Sequence, residues 1–356
     1  MPANTKLNKI NSALKAKEVK KRILTGDRPT GPLHIGHYVG SLENRVKLQE
    51  EYDCFFIVAD YQFLTDHLKE TEKTEYYVKQ VLLDWLSIGL DPKKSTFFIQ
   101  SLIPEIAELT MYFSMMVTLA RLQRNPTVKE EVKAARIKGT SYGFLGYPIS
   151  QAADILIVRS NLVPVGDDNL PHVEQTREIA RTFNGIFGEV FPIPEPLVGE
   201  VSRLPGLDGQ KMSKSMDNAV YLNDTVDEVR QKVGTAITDP ARIKATDKGH
   251  PDICNIYKYH LAFSQAEVRD IEKHCQQGRI GCVACKKKAA ENINAFLDPI
   301  REKRAFFEAR PSIIKEALRT GIERTLQESR ETMRLVREAM HFSYKDLLDG
   351  KKIIAR

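Results

Sequence analysis

Apolar runs of strand length alternate with amphipathic segments of helix length through the first half of the chain. "CFFIVAD" (54–60) and "STFFIQS" (95–101) are short and continuously apolar, which is typical of strands buried on both faces. Between them, "TEYYVKQVLLDWLSIG" (74–89) repeats apolar residues at helical spacing. Strands separated by helices predict a parallel sheet, which binds ligands at the carboxyl ends of its strands.

The other predicted elements of the first half continue this alternation. "RIL" (22–24) predicts the first strand, a helix is expected from about Gly36, and another covers 104–122. The apolar run "DILIV" (154–158) predicts a further strand. Strand signals fade after about residue 216, and the predicted helices there cover 224–237, 264–277, 286–309, 312–326 and 328–341.

The pattern as a whole predicts an α/β fold, a Rossmann-like doubly wound parallel sheet followed by a mostly helical C-terminal domain. We divide the chain into a basic flexible tail (1–21), a domain that contains the sheet (22–215) and a helical domain (216–356).

The tail region carries the whole charge excess of the chain. The formal net charge is +6, and residues 1–22 hold seven Lys or Arg against one Glu. Such a tail could contact a nucleic-acid backbone, although a solvated flexible end is the simpler reading, and a Lys-rich segment suits a mitochondrial presequence poorly. Because no apolar run reaches membrane-span length and no secretory signal is recognisable, we expect a cytoplasmic protein without a membrane partner.

Two loops carry residues suited to phosphate chemistry. In "GDRPTGPLHIGHYVGS" (26–41) a Gly/Pro-rich loop leads into a helix start, and His34 and His37 share one face there. In "GQKMSKSMDN" (209–218), Lys211 and Lys214 are cations that could stabilise a triphosphate transition state. Either loop alone could be an ordinary polar loop.

Taken together, the two loops resemble the signatures of a known family. "HIGH" (34–37) near the start of an α/β domain, followed by "KMSKS" (211–215), is similar to the class I aminoacyl-tRNA synthetases. "YPISQAADILIV" (147–158) and "VPVGDDNLPHVEQTREIARTFN" (163–184) resemble the tryptophan-specific members of that class. The resemblance extends from residue 22 to residue 356, and it implies that the helical domain binds the tRNA anticodon.

The resemblance implies an ATP site at the two signatures. The implied catalytic residues are His34, His37, Lys129, Lys211 and Lys214, of which Lys129 lies on a mobile segment that reaches the triphosphate. The implied ATP-binding residues are Arg28, Pro29, Thr30, Gly36, His37, Gly166, Asp167, Asp168, Lys211, Met212, Ser213, Lys214 and Ser215.

A tryptophan pocket is implied beside the ATP site. Asp154 would accept a hydrogen bond from the indole N–H, and a buried acceptor left unpaired would reject phenylalanine strongly. Gln62, Gln151 and Asn169 depart from the residues most frequent in the family, so the finer hydrogen bonding of the pocket is not carried over from the resemblance. The implied pocket residues are Leu24, Gly26, Gln62, Tyr147, Gln151, Asp154, Val163 and Val165.

The implied reaction has two steps and needs no covalent enzyme nucleophile. Tryptophan attacks the α-phosphorus of ATP with Mg²⁺ present, and the acyl group then passes to the terminal adenosine of tRNA(Trp). The resemblance also implies a homodimer. Two alternatives remain: a tyrosine-specific synthetase with the same signatures, and a non-catalytic RNA-binding relative.

The four cysteines of the second half form a possible metal motif. Cys254, Cys275, Cys282 and Cys285 follow the spacing C-x20-C-x6-C-x2-C, and four thiolates can hold zinc or a [4Fe–4S] cluster. The spacing is similar to a subset of the family that carries such a cluster, so we favour [4Fe–4S] over Zn²⁺ and over unrelated thiols. The fifth cysteine, Cys54, opens an apolar strand and is expected to be a buried core thiol.

Overall fold

A five-stranded parallel sheet lies at the centre of the first half of the chain. The computed structural model describes residues 20–134, 140–166, 169–198 and 204–350. The strands are β1 (Arg22–Asp27), β2 (Asp53–Val58), β3 (Ser95–Ile99), β4 (Leu162–Val165) and β5 (Glu195–Val198). They are ordered β3-β2-β1-β4-β5, and every neighbouring pair is parallel, as predicted.

Helices connect the strands and are the main secondary structure of the second half. Those among the strands are α1 (Ile35–His37), which runs through a π turn (Tyr38–Leu42) into α2 (Glu43–Glu51), then α3 (Asp60–His67), α4 (Thr74–Ile88), α5 (Pro104–Ser114), α6 (Leu119–Gln123), α7 (Pro126–Ala134), α8 (Tyr142–Ile157) and α9 (Leu170–Phe187). Those after the sheet are α10 (Val226–Thr235), α11 (Asn255–Phe263), α12 (Val268–Gln276), α13 (Cys282–Glu308), α14 (Pro311–Ala339) and α15 (Lys345–Leu348).

Strand residues alternate between two apolar cores, one on each face of the sheet. Phe55 and Ile57 belong to the core that includes residues of α5, α8 and α9. Cys54, Phe56 and Val58 belong to the other, with residues of α4 and α13. Alternation on a sheet covered on both sides is the doubly wound arrangement that continuous apolar strands predict. Cys54 has no exposed surface, so its predicted place in the core is confirmed.

The apolar run at 154–158 is helical, so the strand predicted there is wrong. α8 begins after Ser141, whose side chain accepts a hydrogen bond from the N–H of Phe144, and it continues to Ile157. Its last turns, including Asp154, are buried. A helix buried on all sides shows the same continuous apolar run as a buried strand, and hydrophobic periodicity cannot separate the two. The strand of this region is β4, which follows a short turn.

Three other predicted segments have different bounds. The predicted helix 104–122 is divided into α5 and α6, and 312–326 and 328–341 form the single helix α14. Helix α11 (Asn255–Phe263) was not predicted. α14 returns to the sheet and lies along β3, so closely that a Cβ on Gly321 would be 1.9 Å from the carbonyl oxygen of Phe97. Within the described ranges, no helix is both long and apolar enough to cross a bilayer.

Candidate active site

A cavity of about 1070 Å³ opens at the carboxyl edge of the sheet. Asp27, Ala59 and Val165, which end or follow β1, β2 and β4, line it. Helices α3 and α8 close one side, and the start of α9 closes another. The cavity therefore lies where the parallel topology predicts a ligand site.

Many of the predicted site residues line this one cavity. The predicted pocket residues Leu24, Gly26, Gln62, Tyr147, Gln151, Asp154, Val163 and Val165 are all there, with Arg28, Gly36, His37, Gly166 and Asn169. Pro29, Thr30, His34, Lys129, Lys211, Met212, Ser213 and Lys214 do not line it. Asp167, Asp168 and the predicted tail up to residue 19 lie outside the described residues, as does the side chain of Ser215.

The two histidines of the first motif form a reciprocal cap at the start of α1. The N–H of His37 donates to Nδ1 of His34, the N–H of His34 donates to Nδ1 of His37, and the rings stack with centroids 3.6 Å apart. Burial, with neighbouring positive charges, lowers the pKa of His34 to about 2, and burial lowers that of His37 to about 4. Because each Nδ1 accepts, each neutral ring carries its proton on Nε2 and can donate from there.

Glycine at two positions of the first motif brings backbone and side chains close together. A Cβ on Gly26 would lie 1.9 Å from the carbonyl oxygen of Ile57 in the neighbouring strand. A Cβ on Gly36 would lie 2.9 Å from Sδ of Met212, so the second motif packs directly on the first.

The second motif is held against the first by backbone and side-chain hydrogen bonds. The N–H of Ile35 donates to the carbonyl of Val220, and Nζ of Lys214 donates to Oγ1 of Thr30 at 3.0 Å and to the carbonyl of Gly31 at 2.8 Å. Burial lowers the pKa of Lys214 to about 8, with the negative charge of Asp27 acting in the opposite direction. Lys214 is thus a largely protonated cation beside the first motif at neutral pH.

Asp154 is a buried carboxylate that hydrogen-bond donors surround. Nε2 of Gln100 lies 2.7 and 2.9 Å from its two oxygens, and Nε2 of Gln62 lies 3.1 Å from Oδ2. Burial raises the pKa of Asp154 to about 8, although both amides oppose the shift. Gln62 also leaves its Oε1 buried and without a hydrogen-bond partner among the described residues. Since Gln62 lines the cavity, this oxygen is a ready acceptor for a ligand.

Tyr147 joins a second polar network that lines the cavity, together with Glu131 and His172. Its hydroxyl donates to Glu131 at 2.8 Å and lies 3.0 Å from Nε2 of His172. Burial, reinforced by the charge of Glu131, raises the pKa of Tyr147, so its proton stays on the hydroxyl. Asn125 donates toward Nδ1 of His172, which leaves the Nε2 proton of that ring for the tyrosine oxygen.

The four cysteines of the predicted metal motif gather among α11, α12 and α13. Cys254 precedes α11, Cys275 lies near the end of α12, and Cys282 and Cys285 begin α13. Burial raises the pKa of Cys285 to about 12, and the charges of the other three thiols add to it. Even so, no group of three or more His, Cys, Asp or Glu side chains in the described parts of the chain is arranged to hold a metal ion.

The family model for tRNA synthetases class I (W and Y) matches residues 15–298. The chain belongs to this family. The predicted membership of the class I synthetases is therefore confirmed, and so is the α/β fold expected from it.

Several relatives of this synthetase are similar over nearly their whole length. The tryptophan–tRNA ligase of Chlamydia caviae is 46% identical over 335 residues, which cover 92% of this chain and 97% of the relative. That of Streptococcus pyogenes serotype M3 is 47% identical, with 91% and 99% covered. Among solved structures, Campylobacter jejuni tryptophanyl-tRNA synthetase complexed with ADP and tryptophan superposes with a TM-score of 0.81 at 32% identity, covering 90% and 99%.

Several residues of the synthetase's cavity were missed by the sequence analysis. Most of them are polar residues that form hydrogen bonds or ion pairs with their neighbours. Asp27 and Arg45 form a buried pair with Nη1 and Oδ2 2.6 Å apart, and Nε1 of Trp85 donates to the same carboxylate. Burial alone would raise the pKa of Asp27, but Arg45 outweighs it and lowers the pKa. His172 is a further example, and Gln100 contacts Asp154 from behind the cavity wall. None of them carries a spacing signal, because their partners come from distant parts of the chain.

Proposed function

We propose that the chain is a tryptophan–tRNA ligase, which activates L-tryptophan with ATP and transfers it to the 3′-terminal adenosine of tRNA(Trp). The observation that carries the proposal is the buried side chain of Asp154 in a cavity lined by the first nucleotide motif, on which the second motif packs. The named relatives, which match almost the full chain, support the same substrate.

The tryptophan subsite in this proposal lies between β1, β4 and α8. Asp154 accepts from the indole N–H, and the apolar side chains of Leu24, Val163 and Val165 contact the ring. The unpartnered Oε1 of Gln62 is available for the polar end of the amino acid, and Tyr147, whose hydroxyl is held by Glu131 and His172, lines the same cavity. Indole N–H can only donate, so a carboxylate is the matching partner. Gln151 completes the proposed pocket, and Gly26 leaves room beside it.

The proposed ATP subsite is formed by the first motif and the second. The residues that would bind the nucleotide are Arg28, Pro29, Thr30, Gly36, Gly166 and the residues from Lys211 to Ser215. Neutral His34 and His37 offer Nε2 protons to phosphate oxygens, which positions the α-phosphorus without adding charge. Asp167 and Asp168 remain predicted partners of the ribose and adenine.

Activation in this proposal is a displacement at phosphorus. An oxygen of the tryptophan carboxylate forms a bond to the α-phosphorus, the bond from that phosphorus to the bridging oxygen breaks, and pyrophosphate leaves with the electron pair. Lys211 and Lys214, with Lys129 from α7, stabilise the charge that develops on the leaving group. Mg²⁺ enters as part of the substrate, bound to the phosphates of ATP.

We extend the proposal to the helical half and to assembly. Residues 22–215 would act as the catalytic domain, residues 216–356 as the anticodon-binding domain, and residues 1–21 as a basic tail. Two copies would form a homodimer in the cytoplasm.

We also propose that Cys254, Cys275, Cys282 and Cys285 hold a [4Fe–4S] cluster, with Zn²⁺ as the alternative. The all-thiolate donor set suits either, and the mutual charge effects of the four thiols support their proximity. The side chains would have to turn toward a common centre to bind. When bound, the metal would cross-link α11, α12 and α13 near Lys286, Lys287 and Lys288. Anaerobic purification with iron, sulfide and zinc analysis tests this: about four irons per chain supports the cluster, whereas stoichiometric zinc or no metal contradicts it.

ATP–pyrophosphate exchange tests the amino-acid substrate. We expect exchange that depends on tryptophan and is far slower with tyrosine at equal concentration. Exchange with tyrosine and none with tryptophan would identify a tyrosine-specific enzyme. No exchange with either, from a folded protein, would favour the non-catalytic relative.

A further inference from the structure

Gln100 lies behind the cavity wall, where it touches Asp154 without lining the cavity itself. It follows β3 directly and has no exposed surface. Its Oε1 accepts the N–H of Tyr61 at 2.9 Å, and its Nε2 faces both oxygens of Asp154. A backbone N–H can only donate, so the amide oxygen must point to Tyr61 and the amide nitrogen to Asp154. The orientation of the carboxamide is therefore determined by its partners.

The segment that carries Gln100 is clamped to the start of α3 from both directions. While Gln100 accepts from the backbone of Tyr61, the carboxylate of Asp60 accepts from the N–H of Ser101 at 2.9 Å and from the Ser101 hydroxyl. These reciprocal bonds fix Gln100 in place at the end of its strand. Gln62, one residue beyond Tyr61, supplies the third N–H that reaches Asp154.

We propose that Gln100 is a positioning residue for amino-acid specificity, which orients the Asp154 carboxyl group toward the substrate and favours its ionised form, in which both oxygens can only accept. The inference rests on the proposed role of Asp154 in tryptophan recognition. Gln100 donates to both carboxylate oxygens and so fixes the plane of the group, while lone pairs remain for the indole N–H. A protonated Asp154 would instead carry a donor, and would offer a poorer partner to a group that can only donate.

The charges around Asp154 make this role measurable through pH. Burial raises the pKa of Asp154 to about 8, the hydrogen bonds from Gln100 are the largest opposing influence, those from Gln62 follow, and the charge of Asp60 adds to the rise. Among the described residues, Tyr61 also interacts with Asp154: burial raises the pKa of Tyr61, and the charges of Asp60 and Asp154 add to the rise. Removal of the Gln100 bonds therefore raises the pKa of Asp154 further, so that less of the carboxyl is ionised at neutral pH.

The test is Gln100→Met, which removes the hydrogen bonds and nearly keeps the side-chain volume. KM for tryptophan and kcat are measured by pyrophosphate exchange from about pH 6 to about pH 9. At pH 7 we expect KM for tryptophan to rise about tenfold, with kcat and KM for ATP nearly unchanged. As the pH rises, ionisation of Asp154 should bring KM back toward the wild-type value.

A matched control is Gln49→Met, another buried glutamine, which bridges the carbonyl of Gly89 and the N–H of Asp91 away from the cavity. It should leave KM for tryptophan and its pH profile unchanged. If Gln100→Met does not fold, Gln100→Glu keeps the contact to Tyr61 and places an acid against Asp154. The neighbouring acid would raise the pKa of Asp154, so KM for tryptophan should be higher than that of the wild type at pH 7 and should recover only at a higher pH.

The outcomes separate this inference from the proposed function. A rise in KM that is equal at all pH values, no rise, or the same effect in Gln49→Met would overturn the role of Gln100. Asp154→Asn, measured in parallel, tests the proposed role of Asp154 on which this inference rests. If that variant binds tryptophan as well as the wild type, Asp154 is not the recognition residue. An impaired Asp154→Asn beside an unaffected Gln100→Met refutes the inference alone.

Discussion

Replacing Arg304 with methionine should destabilise the protein strongly, because it isolates a buried carboxylate. Arg304 on α13 pairs with Asp84 on α4, and the two side chains are 7% and 0% exposed. Asp84 also accepts the N–H of Leu33 at 2.7 Å, in the loop that leads to the two histidines. Loss of one partner of such a pair costs about 3–5 kcal/mol, since the other charge is left buried and uncompensated.

The stability lost in Arg304→Met should increase with pH, because the acid left unpaired is Asp84. Burial raises the pKa of Asp84 to about 6 even with Arg304 beside it, from 3.8 in the unfolded chain. The stability associated with an acid whose pKa is raised on folding is fully present below the unfolded pKa and is lost as pH rises through the folded pKa. Without Arg304 the folded pKa rises further, so Arg304→Met should lose progressively more stability above about pH 6.

Differential scanning fluorimetry at about pH 6 and about pH 8 measures this. For a chain of this length, a loss of 4 kcal/mol lowers Tm by about 5 °C, and the drop should be larger at the higher pH. Arg304→Met combined with Asp84→Asn should recover much of the loss, because the unpaired charge is gone. Equal drops at both pH values, or no recovery in the double variant, would refute the reasoning.

Two further substitutions test the packing of α14 against β3 and the role of the second motif in binding the phosphates of ATP. Gly321→Ala places a Cβ 1.9 Å from the carbonyl oxygen of Phe97, so Tm should fall by several degrees. The control Gly234→Ala, which has open space around it in α10, should leave Tm unchanged or raise it. Equal Tm values for the two variants would contradict the close approach of α14 to β3. Lys214→Met should lower kcat for pyrophosphate exchange by roughly a hundredfold with Tm nearly unchanged, while Lys244→Met on an exposed loop should not change kcat; a loss of Tm that matches the loss of activity would indicate a structural role instead.

The sequence predicted those parts of the fold that leave a periodic or motif signal. The runs at 54–60 and 95–101 are strands β2 and β3, and both histidines lie at the start of α1 as expected. The strand predicted at 154–158 was wrong because a fully buried helix and a buried strand have the same continuous apolar content. The break predicted between the two C-terminal helices was wrong, because α14 continues from Pro311 to Ala339 and packs against β3, a contact that leaves no local signal in the sequence.

The cavity residues also divide into those that a sequence motif predicted and those that no local pattern could predict. Asp154 was selected from the motif around it, although it was assigned to the wrong element. Gln100 was missed because a single glutamine after a strand has no periodicity, and its partner is 54 positions away in the chain. Hydrogen bonds between distant segments determine which polar residues converge, and only the folded chain brings those partners together.

Aminoacylation of tRNA(Trp) tests the central claim most directly, because it requires both the cavity and tRNA recognition. Purified protein, ATP, Mg²⁺ and labelled tryptophan are incubated with a tRNA(Trp) transcript, with tRNA(Tyr) and labelled tyrosine as the matched control. Label from tryptophan should become attached to tRNA(Trp), and the attachment should be strongly reduced in Asp154→Asn. Attachment of tyrosine to tRNA(Tyr) with none of tryptophan to tRNA(Trp) would contradict the account.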